Sequence, residues 1–417
     1  MWVSLPWEGM TVRGKDSFLM DMRQPHELRN RLLFTFLVVA AYMLCRSILL
    51  YGVAADETTD ASGAQYFLST LVSGDRYRMT VMALGIAPYL NASLLVQIIF
   101  AFRNSTSRAK ISKIQSDRWM RWVSVVFSVV MAIVQSYGLS YRPDAGPLWL
   151  VRTIVILEMF GGAMLASLMC LQNERHGVGA SMPIILLNIA LSLFQNMSAN
   201  HFFEFPAIAI LCLVAIAGTA YMENSMIKVP LQRVSIHNVH ADQNYLAYKR
   251  APMGIMPVMF ASSAFLLPYY LVHMLVSFYP QNAALVSISD NMVLTRPLGV
   301  AVYLVLIVVL AVLFSFLMLN PRETAHQMQR NGDSIVGMYA GEQTRRFLTG
   351  IVLRWSLISG MLQACCMAVS LALSMREIIP AALAMNPTSM MIITSIVCSL
   401  VQEIASYYRY DAYRFFM

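Results

Sequence analysis

The chain has 417 residues, of which 58% are hydrophobic and 12% are charged, and its formal net charge is +8. An ordinary soluble domain carries about twice that share of charged residues, so the composition excludes a typical water-soluble globular protein. The six cysteines all lie within apolar stretches, without the spacing of a metal site or a disulfide framework. We therefore interpret them as small buried hydrophobic residues and expect no bound metal.

Ten apolar runs along the chain are long enough to cross a membrane as helices. They occupy residues 32–54, 81–102, 119–139, 148–171, 181–199, 205–226, 254–278, 297–319, 347–373 and 379–404. The predicted fold class is an all-α polytopic membrane protein with ten transmembrane helices. Five runs precede the segment Met197–Phe205 and five follow it. This favours two inverted five-helix halves, residues 1–200 and 201–417, with a functional site between them.

The 30 basic residues are distributed unevenly among the connections between these runs. With the N-terminus in the cytoplasm, most of them fall in cytoplasmic segments. The positive-inside rule then predicts a multi-pass plasma-membrane protein with both termini in the cytoplasm. This bias accounts for the net charge, and the chain lacks an aromatic-interleaved basic stripe, so we expect no nucleic-acid binding. The long cytoplasmic connections 227–252 and 320–346 are polar and partly basic, which suits contact with a soluble partner.

Motifs of common enzymes are missing from the sequence. It has no HExxH zinc motif, no Gly-x-Ser-x-Gly elbow and no phosphate-binding G-x-x-x-x-G-K-[ST] loop. We therefore predict neither an enzyme nor a cofactor, so that any transport work comes from an ion gradient or an external motor. Only Glu158 lies well inside a span. An interhelical hydrogen bond explains it better than a proton relay does, which leaves ion-coupled solute transport as an alternative with little support.

The second run contains a pattern that a simple lipid-facing anchor does not need. Gly85 and Pro88 lie three residues apart in it, and Asn91, Ser93 and Gln97 follow. A Gly/Pro break followed by small and polar residues predicts that the backbone there lines protein or water.

Methionine is abundant, with 31 residues, and it recurs beside prolines within the spans. Met259 follows Pro257 in the seventh run, and Met391 follows Pro387 in the tenth. Unbranched methionine repacks easily. A ring of Ile, Leu and Met side chains can therefore close around an extended polypeptide and exclude ions by dewetting. Ordinary core packing is the competing interpretation of the same residues.

Four sequence strings resemble the SecY family of protein-translocation channels. The second run reads Ala-Leu-Gly-Ile-Ala-Pro-Tyr from Ala83, and the seventh reads Gly-Ile-Met-Pro-Val-Met-Phe-Ala-Ser-Ser from Gly254. Asn-Pro-Arg-Glu-Thr-Ala begins at Asn320, and Gly-Glu-Gln-Thr begins at Gly341. The resemblance extends over nearly the whole chain. It implies two five-helix halves that close like a clamshell around an hourglass-shaped pore.

Other segments are more similar to the accessory SecY branch of Gram-positive bacteria, namely Tyr245–Pro252 and the tail Glu403–Met417. Tyr339 also replaces an arginine that the family usually has in its largest cytoplasmic loop. This resemblance implies a channel that passes unfolded, glycosylated, Ser-rich proteins, driven by a SecA-type motor. A small SecE-like membrane subunit or accessory Sec proteins, and membrane lipid, are the other implied partners. A divergent housekeeping SecY channel for export or insertion is the alternative.

The family resemblance also implies three sets of functional residues and a plug within about 62–78. Six apolar side chains would form the pore constriction: Ile86, Leu90, Met182, Leu186, Met259 and Ile392. The lateral gate would open between the second and seventh spans, with Pro88, Asn91, Ser93, Gln97, Pro257, Ser262 and Ser263. The motor would dock on the cytoplasmic loops at Arg322, Arg330, Tyr339, Arg345, Arg346, Lys228, Arg233, Lys249 and Arg250.

Overall fold

In a computed structural model of the protein, most of the predicted spans are helical. The structure describes residues 27–53, 80–102, 113–137, 139, 141–142, 146–200, 202–233, 245–254, 256–261, 264–265, 287, 291, 296–339, 341–376, 378–380 and 383–413. The predicted plug lies outside this part of the chain, as does most of the seventh run. Within the seventh run, residues 256–261 are helical.

Ten α-helices and three strands are numbered here in chain order. The helices are α1 (Glu27–Arg46), α2 (Ala87–Phe102), α3 (Lys113–Tyr137), α4 (Leu148–His176), α5 (Met182–Ala199), α6 (Pro206–Asn224), α7 (Pro297–Leu319), α8 (Pro321–Asn331), α9 (Glu342–Met375) and α10 (Asn386–Tyr413). The strands are β1 (Met226–Arg233), β2 (Tyr245–Lys249) and β3 (Asp333–Ile335). Among the described residues, seven helical stretches are long and apolar enough to cross a membrane, and α2 and α3 occupy two further predicted spans.

The first predicted span is longer than its helix. The apolar run continues to residue 54, whereas α1 ends at Arg46. The chain then becomes extended, with isolated antiparallel bridges from Leu49 to Thr80 and from Val53 to Tyr141. Val53 is buried in a small apolar cluster with residues of α3 and α4. Among the described residues of this run after α1, only Leu50 and Val53 are buried in the interior, whereas Ile48, Leu49 and Tyr51 are exposed.

The predicted break in the second run is present at Gly85. Residues 81–86 form turns rather than helix, and Gly85 has a φ of +50°, in the left-handed region that disfavours side chains. Helix α2 begins at Ala87, and Pro88 occupies its first turn, where a missing N–H group costs little. Residues 82–87 are buried, so the irregular backbone faces protein.

The sequence Asn-Pro at Asn320 separates α7 from α8. Asn320 adopts a left-handed conformation, with φ of 37°, which asparagine tolerates better than most residues. Its side chain accepts a hydrogen bond from the Glu323 N–H group, and Pro321 starts the next helix. This arrangement ends the apolar helix α7 and turns the chain into the amphipathic helix α8.

Strands from the two long connections 227–252 and 320–346 form one antiparallel sheet in the order β2-β1-β3. Ile227 lies opposite Tyr248 in the first pairing, and Leu231 lies opposite Ile335 in the second. An apolar cluster beneath the sheet includes Tyr248, Met328 of α8 and Leu348 of α9. Burial in this cluster raises the pKa of the Tyr248 phenol. We call the sheet, α8 and the first turns of α9 the loop unit.

The main apolar cluster is built from both predicted halves. It contains Tyr42 of α1, Ile189 of α5 and Tyr303 of α7, together with residues of α9 and α10. The main cluster therefore joins residues from both predicted halves, in addition to the smaller clusters that lie within one of them.

The start of the second span packs directly on α4 at Gly162. A Cβ atom at Gly162 would lie 2.0 Å from the carbonyl oxygen of Val81. Next to it, a Cβ at Gly161 would meet nothing within 4 Å. The two neighbouring glycines therefore have different roles, close packing at Gly162 and none at Gly161.

We predict that Gly162→Ala lowers the free energy of unfolding by about 1–3 kcal/mol, because the new methyl group must displace the 81–86 turns. The matched control, Gly161→Ala, should instead gain about 0.5–1 kcal/mol from the better helix propensity of alanine. Thermal unfolding of the purified variants in detergent measures both effects. Equal melting temperatures for the two variants would contradict the assigned packing.

Candidate functional site

The six residues predicted to form the pore constriction belong to one apolar cluster. Two of them are fully buried, and the other four are half-buried against the same cluster. They come from four separate segments of the chain. We call this set the collar: Ile86 and Leu90 at the start of α2, Met182 and Leu186 of α5, Met259 of the helical turn 256–261, and Ile392 of α10.

Each segment that contributes to the collar has a proline in its first helical turn. Pro88 follows left-handed Gly85 by three residues, and Pro257 follows left-handed Gly254 at the same spacing. Pro183 lies at the start of α5 and Pro387 at the start of α10. Because proline has no N–H group and fixes φ, it favours a helix start at these positions. The local sequence thus places four helix starts around one apolar cluster.

Of the predicted gate residues, the structure describes the side chains of Pro88, Asn91, Ser93 and Pro257. Pro88 and Pro257 are buried, and Asn91 is half-buried. The Ser93 hydroxyl donates to the Leu90 carbonyl oxygen of its own helix at 2.8 Å. The side chain of Gln97 and both Ser262 and Ser263 lie outside the part of the chain that the structure describes.

Polar contacts link α5 to α10 at both ends of their antiparallel pair. The Asn196 side chain donates to Asn386 Oδ1 at 2.9 Å, and this contact is buried. At the other end, the backbone N–H of Gly179 donates to Glu403 Oε1 at 3.1 Å. These bonds join the two predicted halves on either side of the collar residues of α5. Sequence reasoning missed them, although an asparagine in an apolar helix is a signal for an interhelical bond.

A second polar link beside the collar connects α1 with α5. Asn188 Nδ2 donates to the Tyr42 hydroxyl at 2.9 Å, and Arg46 Nη1 donates to Asn188 Oδ1 at 3.4 Å. Arg46 is only 6% exposed. The sequence signal for this link is an arginine near the end of an apolar run. The link was not predicted from the sequence.

Most of the residues proposed for motor docking are on the surface of the loop unit. Arg322, Arg330, Arg345 and Arg346 are exposed, and Tyr339 is 83% exposed. Arg346 forms an exposed ion pair with Glu342 at 2.9 Å, which adds little stability. Lys228 lies over the Tyr245 ring at 4.8 Å. The side chain of Arg233 is outside the described residues.

Lys249 and Arg250 have intramolecular partners instead. Lys249 Nζ lies 3.6 Å from Glu223 Oε2 and donates to Gln402 Oε1 at 2.7 Å. The Arg250 guanidinium donates to the Tyr221 hydroxyl and stacks on the Trp355 ring at 5.1 Å. Because both side chains already have partners within the protein, we leave them out of the docking surface proposed below.

Glu158 makes a structural contact. Its Oε2 accepts a hydrogen bond from the backbone N–H of Tyr51 at 3.0 Å, which ties α4 to the segment after α1. Within the part of the chain that the structure describes, no group of three acidic, His or Cys residues could hold a metal ion. All six cysteines are free thiols.

A comparison with protein-family models identifies the fold. The SecY model matches residues 80–401, which include every residue of the collar. This chain belongs to the SecY family. SecY proteins are multi-pass membrane channels. The helices described above that are long and apolar enough to cross a membrane agree with this.

Relatives of two kinds are similar to this SecY chain. An accessory Sec system protein translocase subunit SecY2 of Leuconostoc gelidum is 25% identical over 81% of this chain and 84% of its own length. A protein translocase subunit SecY of Mycoplasma capricolum is also 25% identical, over 94% of this chain and 88% of its own length. A solved structure titled "The structure of a protein conducting channel" shares the fold, with a TM-score of 0.66, 14% identity, and coverage of 98% of this chain and 95% of that one.

Placing an amide in the collar tests whether this cluster seals the protein. We predict that Ile86→Asn raises ion leak through membranes containing the protein by about tenfold or more. The reason is that an unpartnered buried amide costs about 1–3 kcal/mol in the sealed state. Conductance of planar bilayers measures the leak. The matched control is Ile99→Asn, on the helix α2 that follows Ile86 and 54% exposed, which should leave the leak unchanged. A leak that is equal in the two variants would contradict the sealing role.

Proposed function

We propose that this SecY chain is the protein-conducting subunit of an accessory Sec translocase. It would pass unfolded proteins across the plasma membrane, driven by a SecA-type motor that is a separate protein. The observation that carries the proposal is the collar, in which six Ile, Leu and Met side chains from both halves form part of one apolar cluster. The relatives are named as protein translocase subunits, which supports the same function.

The composition of the collar suits a polypeptide better than a small solute. Its side chains offer no hydrogen-bonding group, so a passing chain of varied sequence is not held at any one residue. Methionine repacks with little strain, which lets the same ring close behind bulky and small side chains. An empty apolar constriction also blocks ions by dewetting. A solute transporter would instead need converging polar groups, whereas Glu158 is occupied by a backbone bond.

A lateral gate between the second and seventh spans would sort cargo segments by hydrophobicity. Each central Leu or Ile favours the bilayer by about 0.3–0.6 kcal/mol, so a signal helix gains by leaving the pore. A polar segment cannot follow, because each unsatisfied polar group in hydrocarbon costs several kcal/mol. We place this gate at the two segments that begin with left-handed Gly85 and Gly254.

We propose that residues 1–200 and 201–417 are the two moving halves and that both termini are cytoplasmic, with the plug within about 62–78. The loop unit then lies on the cytoplasmic face, where a motor must act. Five exposed residues form the proposed docking surface: Arg322, Arg330, Tyr339, Arg345 and Arg346. Packing of both loops into one unit would give the motor a preorganised surface.

An accessory role, with glycosylated Ser-rich surface proteins as cargo and a small SecE-like subunit as partner, distinguishes this proposal from housekeeping export. An accessory subunit and a general SecY subunit are both among the relatives, and the general one covers more of the chain. The two roles differ in how much of the secreted proteome depends on the channel.

Depletion of the chain in its own cells separates the two roles. We predict that a few large surface proteins disappear, as measured by mass spectrometry of the cell-wall fraction, while bulk secretion and growth continue. General loss of secreted proteins would contradict the accessory role, and an unchanged surface proteome would contradict export altogether. Re-expression of the wild-type chain is the control for both outcomes.

A further inference from the structure

A buried carboxylate lies where the loop unit meets the membrane helices. Glu223 is in the last turn of α6, and its side chain is only 3% exposed. Its Oε2 lies 3.6 Å from Lys249 Nζ of β2, and its Oε1 accepts a hydrogen bond from Ser395 Oγ of α10 at 2.5 Å. Burial of a carboxylate is unfavourable without such partners, so the position of β2 and the burial of Glu223 depend on each other.

The same carboxylate lies against the turn that starts the seventh span. Gly254 has a φ of +57°, and a Cβ atom there would lie 2.3 Å from Glu223 Oε1. Gln363 Nε2 of α9 donates to the Gly254 carbonyl oxygen at 2.7 Å. The turn is therefore held between a carboxylate on one side and an amide on the other.

A short stretch of chain connects this turn to both the sheet and the collar. Lys249 is the last residue of β2 and pairs with Met226 of β1. Strand β1 also pairs with β3. After Gly254 the chain enters the helical turn 256–261, which contains the collar residue Met259. A displacement of the sheet would thus reach Met259 through Lys249, Glu223 and Gly254.

We propose that Glu223 is a positioning residue that couples the loop unit to the collar. In the arrangement seen here, the Glu223–Lys249 pair holds the Gly254 turn and so favours the sealed collar. A partner that shifts β2 withdraws Lys249 from the carboxylate, and the Gly254 turn loses one of its two supports. This inference rests on the proposed function, since it assumes that the collar seals a pore.

Ion conductance of planar bilayers containing the full-length protein tests the coupling without a motor or cargo. Glu223→Gln keeps an acceptor for Ser395 but removes the charge, and Lys249→Met removes the opposite charge. Each variant should raise the time spent in a conducting state by about tenfold. The double variant should show no further increase, because either single change already breaks the same pair.

Two controls make the outcome specific. Glu342→Gln breaks the exposed pair with Arg346 in the same loop unit and should leave conductance at the wild-type level. Ile86→Asn opens the collar directly. Silent Glu223 and Lys249 variants beside a conducting Ile86→Asn would overturn the coupling alone, and silence of all variants would overturn the channel function as well.

If the two residues act independently, the fold-increases in conductance of the two single variants multiply in the double variant. That result would also overturn the coupling. If Glu223→Gln fails to accumulate as folded protein, Ser395→Ala takes its place. It removes one hydrogen bond from the same carboxylate and should raise conductance less than Lys249→Met does. If neither Ser395→Ala nor Lys249→Met raises conductance above the wild-type level, the coupling is overturned too.

Discussion

The structure depends on an apolar contact between two halves of the molecule at the collar. Apolar packing has no preferred direction, so such side chains can separate and close again without leaving a broken hydrogen bond behind. The directional bonds lie around the collar instead, as in the pairs Asn196–Asn386 and Glu403–Gly179. In the channel that we propose, this division would allow one side of the protein to open while the α5–α10 contact is kept.

The helix starts follow from the same constraint. Close to the collar the chain passes from turn to helix. It therefore needs residues that fix the position at which the helix starts. The Gly-x-x-Pro spacing provides this twice, at Gly85 with Pro88 and at Gly254 with Pro257. Tight glycine contacts then fix these turns, with Gly162 against Val81 and Gly254 against Glu223.

The parts of this structure that local sequence determines were predictable. The break at Gly85 and the end of the apolar run before Asn320 depend on residues a few positions apart, whereas the six collar residues come from four distant segments and were named from the family resemblance. The inward positions of Lys249 and Arg250 could not be read from the sequence, because their partners Glu223 and Trp355 are brought near only by the fold. For the same reason, the extended end of the first apolar run was taken for helix.

Site-specific crosslinking to a stalled secretory polypeptide tests the central claim most directly. A photoreactive amino acid at Ile392, which is fully buried in the collar, should crosslink to a cargo chain arrested halfway through export. The same probe at Leu157, which is 63% exposed on α4, should crosslink to lipid and not to cargo. Equal cargo adducts at the two positions, or none at Ile392, would contradict passage of a polypeptide through the collar.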